Sequence, residues 1–140
     1  MPSNIRLLAR FGVASVGGKL FVHGGESDRV DPSPGIFVTT EVWSYDPITR
    51  EWARRENMHV PRAMFACWAI DGRIIVAGGF TSFCGSISNA EIYDPESDTW
   101  SPLPDLCQIH TSACSGIVIQ GKMHVVHKGL STVQILKYKY

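Results

Sequence analysis

Two stretches of the chain repeat one another, and an internal repeat constrains the fold more than any single motif can. Val16-Gly17-Gly18-Lys19-Leu20-Phe21-Val22-His23-Gly24-Gly25 reads like Ile70-Asp71-Gly72-Arg73-Ile74-Ile75-Val76-Ala77-Gly78-Gly79. Each has an apolar residue, a turn ending in Gly, a basic residue, an apolar run and a Gly pair. Gly18 and Gly72 stand 54 residues apart, as do Gly24 and Gly78. Further on, Val42-Trp43-Ser44-Tyr45-Asp46-Pro47 to Trp52 matches Ala90-Glu91-Ile92-Tyr93-Asp94-Pro95 to Trp100 at an offset of 48. The first copy therefore carries a six-residue insertion between its Gly pair and its Tyr-Asp-Pro. A third copy begins at Ser112, with Ile119-Gln120-Gly121-Lys122-Met123-His124-Val125-Val126 following the second at 49. In place of its Gly pair stand His127 and Lys128, with Gly129 one late, and the chain ends at Tyr140 before a third Trp.

The composition agrees with a repeat of strands. Thirteen Gly and eight Pro in 140 residues are high for a helical protein. Short runs of Val, Ile and aromatics, bounded by Gly, Pro, Asp and Ser, read as many short strands. Thirteen basic residues balance thirteen acidic ones. That balance argues against a nucleic-acid surface, which needs a clustered basic field. No apolar run approaches the roughly 18–20 residues of a membrane helix, and the N-terminus carries no secretory pattern. Cys67, Cys84, Cys107 and Cys114 lack the spacing of a zinc knuckle or redox dithiol. They read as reduced thiols, which places the chain in the cytoplasm or nucleus.

Each unit reads as four antiparallel strands. In the second copy the first is Met64–Ile70, apolar on both faces and so expected to be covered on both, as an inner strand of a packed sheet is. Asp71-Gly72 predicts a tight hairpin into Arg73–Ala77. Gly78-Gly79 ends that strand, as Gly24-Gly25 does in the first copy, and lets neighbouring groups approach closely. Ile92 and Tyr93 lie on the third strand. Asp94-Pro95, like Asp46-Pro47, opens the next turn. Trp100 lies on the fourth, where its ring is expected to cover the glycine surface as one packing device. Tyr45, Trp52, Tyr93 and Trp100 are expected to be blade core.

A Gly pair, Tyr-Asp-Pro and a Trp six residues after the Asp, at a period near fifty, resemble the kelch repeat. Ala90–Trp100 and the stretch Val126-His127-Lys128-Gly129-Leu130-Ser131-Thr132-Val133-Gln134 look like the C-terminal part of plant F-box/kelch-repeat proteins. The resemblance implies an all-β fold: a partial kelch-type β-propeller of about three four-stranded antiparallel blades, the third incomplete. The expected divisions are 1–55, 56–104 and 105–140. A blade buries its faces only against neighbours. The chain is therefore expected to be part of a longer propeller, lacking about three blades on propeller base rates, or else to self-associate.

Scaffold blades leave binding to the loops. The inserted loop, residues 26–37, carries Glu26, Asp28 and Arg29; its counterpart, residues 80–88, carries Phe80 and Phe83. These aromatics are contact candidates, unless they fold under their own loop. Gln108 and His110 occupy the matching loop of the third unit. In animal kelch substrate adaptors an Arg at the position of Arg62 faces the peptide-binding mouth. The resemblance therefore implies that Arg62 is a polar anchor for an acidic or carbonyl-rich ligand. Leu8 and Thr111 stand at the aligned positions, so this feature is not repeated.

The function implied is non-catalytic: the substrate-recognition part of an F-box/kelch adaptor of a cullin-RING ubiquitin ligase, holding a protein substrate. Contact with the ligase would run through an F-box absent from this chain. No cofactor, metal, nucleic acid or membrane is expected. Kelch-type copper oxidases and iron-dependent specifier proteins need residue clusters not seen here. His124 and His127, three apart on a strand, point to opposite faces. No Gly-x-Ser-x-Gly elbow, phosphate loop or HExxH is present. Two other readings stand beside the adaptor: an enzyme fragment whose active residues lie outside the chain, and a truncated product without function.

Overall fold

In the computed structural model the described residues are 2, 8–29, 35–81, 85–106, 114–127 and 133–136. They form strands and turns; no helix among them is long and apolar enough to cross a membrane. The first sheet is built from β1 (Gly12–Val16), β2 (Lys19–His23), β5 (Val42–Asp46) and β6 (Glu51–Arg55), in that spatial order. The second has β7 (Ala66–Ile70), β8 (Arg73–Ala77), β11 (Ala90–Asp94) and β12 (Thr99–Leu103), again in order. The third has β13 (Cys114–Ile119), β14 (Lys122–His127) and β15 (Val133–Leu136). Two short ribbons, β3 (Glu26–Arg29) with β4 (Gly35–Val38) and β9 (Phe80–Thr81) with β10 (Gly85–Ser86), interrupt the first and second sheets between their second and third strands. All pairings are antiparallel. The sheets stand side by side as blades of an open, partial β-propeller.

Local chemistry sets the turns. Asp71 and Gly72 have φ of 49° and 74°, and Gln120 and Gly121 have 51° and 72°. Two successive positive φ values make the hairpin turn whose twist matches the strands. In the wider turns, Asp46 Oδ1 accepts the Ile48 N–H at 2.9 Å and Asp94 Oδ1 accepts the Glu96 N–H at 3.0 Å. This is the Asp-Pro turn that the sequence predicts.

The core lies between sheets, not within one. Along β8, Ile74 and Val76 are buried against Ala14, Phe21 and Val42 of the first sheet. Ile75 and Ala77 are buried in the opposite direction, with Leu106 and Val125. A strand covered on both faces has no reason to alternate, hence the unbroken Ile-Ile-Val-Ala. Each such aliphatic side chain contributes about 1.5–3 kcal/mol. The outermost strands resist further pairing differently: β6 carries Glu51, Arg54 and Arg55, and β12 carries Pro102, which has no N–H to offer.

Three expectations need correction. The first strand of the second unit starts at Ala66, not Met64, because Met64 takes φ 55° and Ala63 bridges to Phe80 instead. That strand is a hydrogen-bonding edge of its sheet, though it packs between β1 and β13, and Trp68 stays 39% exposed. The stretch expected as a plain loop, 26–37, instead folds largely as the β3–β4 ribbon, with Glu26 opposite Val38 and Arg29 opposite Gly35.

Candidate partner-binding rim

The antiparallel order brings the Gly pairs, the ribbons and the segments leading into β1 and β7 to one end of the sheets. Two glycines make that convergence possible. A Cβ on Gly25 would lie 2.9 Å from the Ala9 carbonyl and 2.9 Å from Phe11 Cβ; on Gly79 it would lie 2.5 Å from the Ala63 carbonyl and 2.8 Å from Phe65 Cβ. Their φ values, 98° and 91°, would be strained in any other residue. Gly24 and Gly78 precede them with φ of 57° and 69°.

The close approach anchors each ribbon at its root. Glu26 exchanges both backbone hydrogen bonds with Ala9, at 2.8 and 2.9 Å, and Phe80 does so with Ala63, at 2.9 and 2.9 Å. The residue after each bridge is non-glycine yet left-handed: Arg10 at φ 56° and Met64 at 55°. Such conformations cost of order 1–3 kcal/mol and gather at functional sites. The Arg10 guanidinium pairs with the Glu26 carboxylate. Nearby, Arg54 stacks over the Trp43 ring at 5.5 Å and lies 3.4 Å from Glu41, whose other oxygen accepts the Trp43 indole N–H at 3.2 Å.

The structure places Arg62 where the ligand-anchor expectation does not. It is buried. Its guanidinium donates to the Gly78 carbonyl at 3.1 Å, the Asn89 carbonyl at 2.8 Å, Asn89 Oδ1 and Glu91 Oε2 at 3.1 Å. Its own carbonyl accepts from the Gly25 N–H at 2.9 Å. One residue thus ties the Gly pair of the first blade to that of the second. The cause is Glu91, a buried carboxylate that needs a counter-charge and donors. It also accepts the backbone N–H groups of His59 and Val60 at 2.9 and 3.2 Å, with His59 Nδ1 at 3.1 Å. The sequence reading missed Glu91, Asn89 and His59. A signal was available: Leu8 replaces Arg62 and Trp43 replaces Glu91 in the first copy, both members of the pair changing together.

The other candidates fall as follows. Glu26 sits at the root of the first ribbon, partly buried against Arg10. Asp28 and Arg29 lie along β3, opposite Ile36 and Gly35. Phe80 is half-buried at the root of the second ribbon. Phe83, Gln108 and His110 lie outside the described residues.

The aromatic residues pack differently from the expected Trp-on-glycine device. Gly79 packs against the Ala63 carbonyl and the Cα and Cβ of Phe65, while the Phe65 ring lies on Gly12 and Gly24 of the first blade. Trp100 crosses the blade boundary: its indole N–H donates to the Glu56 carbonyl at 2.9 Å, and its ring meets His23 edge-on at 6.1 Å. The Glu56 N–H is held by Asp98 at 3.0 Å, and Asp98 also accepts the Tyr93 hydroxyl at 2.6 Å. Burial, then the Asp98 hydrogen bond, raises the Tyr93 pKa. Tyr93 and Trp100 pack at 4.9 Å and 34°, and Tyr45 and Trp52 repeat that arrangement at 5.0 Å and 40°. Asp46 and Asp94 hold their turns.

One buried pair invites a chemical reading and does not support it. His23 Nδ1 lies 3.6 Å from Cys67 Sγ. Burial lowers the imidazole to about 4, only partly offset by a Gly12 backbone hydrogen bond. Burial also raises the thiol to about 12, against the pull of the Arg62 charge. Both are neutral at pH 7, so the pair is not an activated nucleophile. Among the described residues no three His, Cys, Asp or Glu side chains converge as a metal site. A cleft of about 290 Å³ lies between β1 and β7, lined by Val13, Ala14, Ser15, Cys67, Trp68 and Ala69.

Comparison with known proteins agrees with this architecture. The family described as Kelch motif matches residues 7–59 and 61–106. The chain is 57% identical over 141 residues to F-box/kelch-repeat protein SKIP30 of Arabidopsis thaliana, covering 98% of this chain and 40% of that protein. It is 33% identical over 116 residues to F-box/kelch-repeat protein At1g67480 of the same plant, covering 83% and 30%. Against the solved structure of YjhT the TM-score is 0.73 at 15% identity, covering 85% of this chain and 44% of that one. The chain thus spans 40% or less of the length of these two plant proteins. Its repeats, with their Gly pairs, Tyr-Asp-Pro turns and tryptophans, make it a member of the kelch family, related to the F-box/kelch-repeat proteins of plants.

Proposed function

We propose that these blades are the protein-recognition part of an F-box/kelch-type adaptor, which holds a substrate for a cullin-RING ubiquitin ligase. The observation that carries the proposal is the pair of ribbons, each rooted by a two-bond bridge to the lead-in of its blade's first strand. A rigid root with an outward strand pair presents side chains without large ordering cost, which is what a protein-binding loop needs. Similarity to SKIP30 supports the adaptor context through that protein's name. The role is binding without catalysis or cofactor, exercised in the cytoplasm or nucleus. The F-box would lie in sequence outside these residues.

The test uses the full-length protein that contains these blades. It is expressed in plant cells under proteasome inhibition, and its partners are compared with those of a variant whose 27–37 segment is replaced by a short Gly-Ser turn. The adaptor reading expects a polyubiquitylated partner that is lost in the variant while association with the ligase scaffold persists. No scaffold association in the unaltered protein would overturn the ligase role. An unchanged partner set would overturn the role of the ribbon.

A further inference from the structure

The basic residues of the chain are sorted by type. All eight arginines lie between residues 6 and 73, and that span holds one lysine, Lys19. The other four lysines are Lys122, Lys128, Lys137 and Lys139, of which the last three lie outside the described residues. The basic residues are sorted by place as well. The register of the first sheet sets His23, Val42 and Arg55 at the end that carries the Gly pair, and Lys19, Asp46 and Glu51 at the other. At the Gly-pair end stand Arg10 on the lead-in, Arg29 on β3, Arg54 and Arg55 at the end of β6, and the buried Arg62. At the opposite end stand Lys19, Arg50 in the turn after β5, and Arg73 and Lys122 at the starts of β8 and β14. Among the described residues, then, the first two blades carry no lysine at the rim. The strand β2 alone puts roughly 13 Å between Lys19 and the Gly pair.

Contacts do not explain arginine at each of these places. Arg62 uses its planar fork to reach several acceptors, and Arg54 lays its flat face on Trp43. Arg10 instead makes an ion pair from Nη1 to Glu26 that an ammonium would make as well. The difference left at such a site is reactivity. A lysine amine that has lost its proton attacks the thioester carbon joining the ubiquitin C-terminus to the cysteine of a conjugating enzyme. A C–N bond forms, the C–S bond breaks, the thiolate leaves, and the amine gives up one proton to solvent. A guanidinium stays protonated and makes no such attack. An amine fixed beside a bound partner competes with the partner's own lysines at an effective concentration of about millimolar.

We propose that the rim of these two blades is kept free of acceptor amines, so that ubiquitin delivered there passes to lysines of the held partner and not to the adaptor. The partner class follows: a protein that brings its own lysine to the rim. The inference rests on the ligase reading above and adds how the adaptor escapes its own ligase.

The full-length protein containing these blades, expressed in plant cells with affinity-tagged ubiquitin under proteasome inhibition, tests it. Every form carries Lys128→Arg, which removes a lysine outside the described residues from the comparison. Arg29→Lys keeps the charge of the first ribbon and supplies an amine. Thr81→Lys supplies one on the second ribbon, where Thr81 pairs with Gly85. Arg50→Lys supplies one in an exposed turn at the other end of the first sheet. Mass spectrometry reads the remnant that ubiquitin leaves on a modified lysine. The remnant is expected at positions 29 and 81 with about tenfold or more the occupancy at position 50. The half-lives of Arg29→Lys and Thr81→Lys should shorten once the inhibitor is removed. Scaffold association in the same precipitates separates two failures. If the unaltered protein binds the scaffold while position 29 or 81 stays unmodified, or position 50 is modified as much, the amine-free rim is overturned and the ligase reading stands. If the unaltered protein does not bind the scaffold, both fall.

Discussion

Arg62 and Glu91 form an ion pair, Nη2 to Oε2 at 3.1 Å, with both side chains buried. The pair joins the linker after the first blade to the third strand of the second, while the Arg62 backbone holds Gly25. A ligand-binding arginine would need exposure. This one is a brace between blades.

Removing one member should be worse than removing both. Arg62→Leu leaves a buried carboxylate without its counter-charge and should cost about 3–5 kcal/mol. Arg62→Leu with Glu91→Leu removes both charges, and should recover a substantial part of that loss. Urea unfolding of the single and double variants checks the order. A double variant as unstable as the sum of the singles would remove the ion pair as the explanation.

His23 should make stability depend on pH. Its folded pKa, about 4, lies below the ordinary 6.5. Between those values the unfolded chain binds the extra proton, so stability rises with pH. The contribution is complete above about pH 6.5 and is lost as pH falls toward 4, on the order of 3 kcal/mol in all. Unfolding free energies at pH 4.5 and 7 should differ less in His23→Phe than in the unaltered chain. An equal difference would place the dependence on other groups.

Glycines of the same φ class should differ in tolerance. At Gly72 a Cβ meets nothing within 4 Å, so Gly72→Ala costs about 1 kcal/mol for the left-handed backbone alone. Gly79→Ala adds a clash with the Ala63 carbonyl and should cost about 3 kcal/mol or more. It should also loosen the ribbon root, read as faster amide exchange at Phe80. Equal costs would mean the lead-in yields freely.

Cys67 should be unreactive while folded. Its thiol, pushed up to about 12, has almost no thiolate at pH 8. With Cys84, Cys107 and Cys114 changed to Ser, alkylation by iodoacetamide should be slower by about 100-fold or more than in urea, since the thiolate fraction falls with each pKa unit. Intact-mass spectrometry follows it. Comparable rates in the two conditions would show that the boundary between the first two blades opens readily.

The strands, hairpins and Asp-Pro turns were legible because they rest on contacts within about ten residues: Asp71-Gly72 needs only its own φ values, and Asp46 only the N–H of Ile48. The candidate rim was less legible. Arg62 looks like a surface donor until Glu91, 29 residues on, is brought against it. Trp100 looks like a glycine cover until Glu56, 44 residues back, takes its N–H. Phe80 looks like a loop aromatic until Ala63 pairs with its backbone.

The amino-acid sequence by itself determined the repeat, the period and the strands of each blade, because periodicity and turn chemistry are local. Only the tertiary structure decided which polar groups are braces and that the long insertion is a rooted ribbon. Those outcomes depend on desolvation and on partners from adjacent blades, and burial is a property of the packed sheets, not of any one segment.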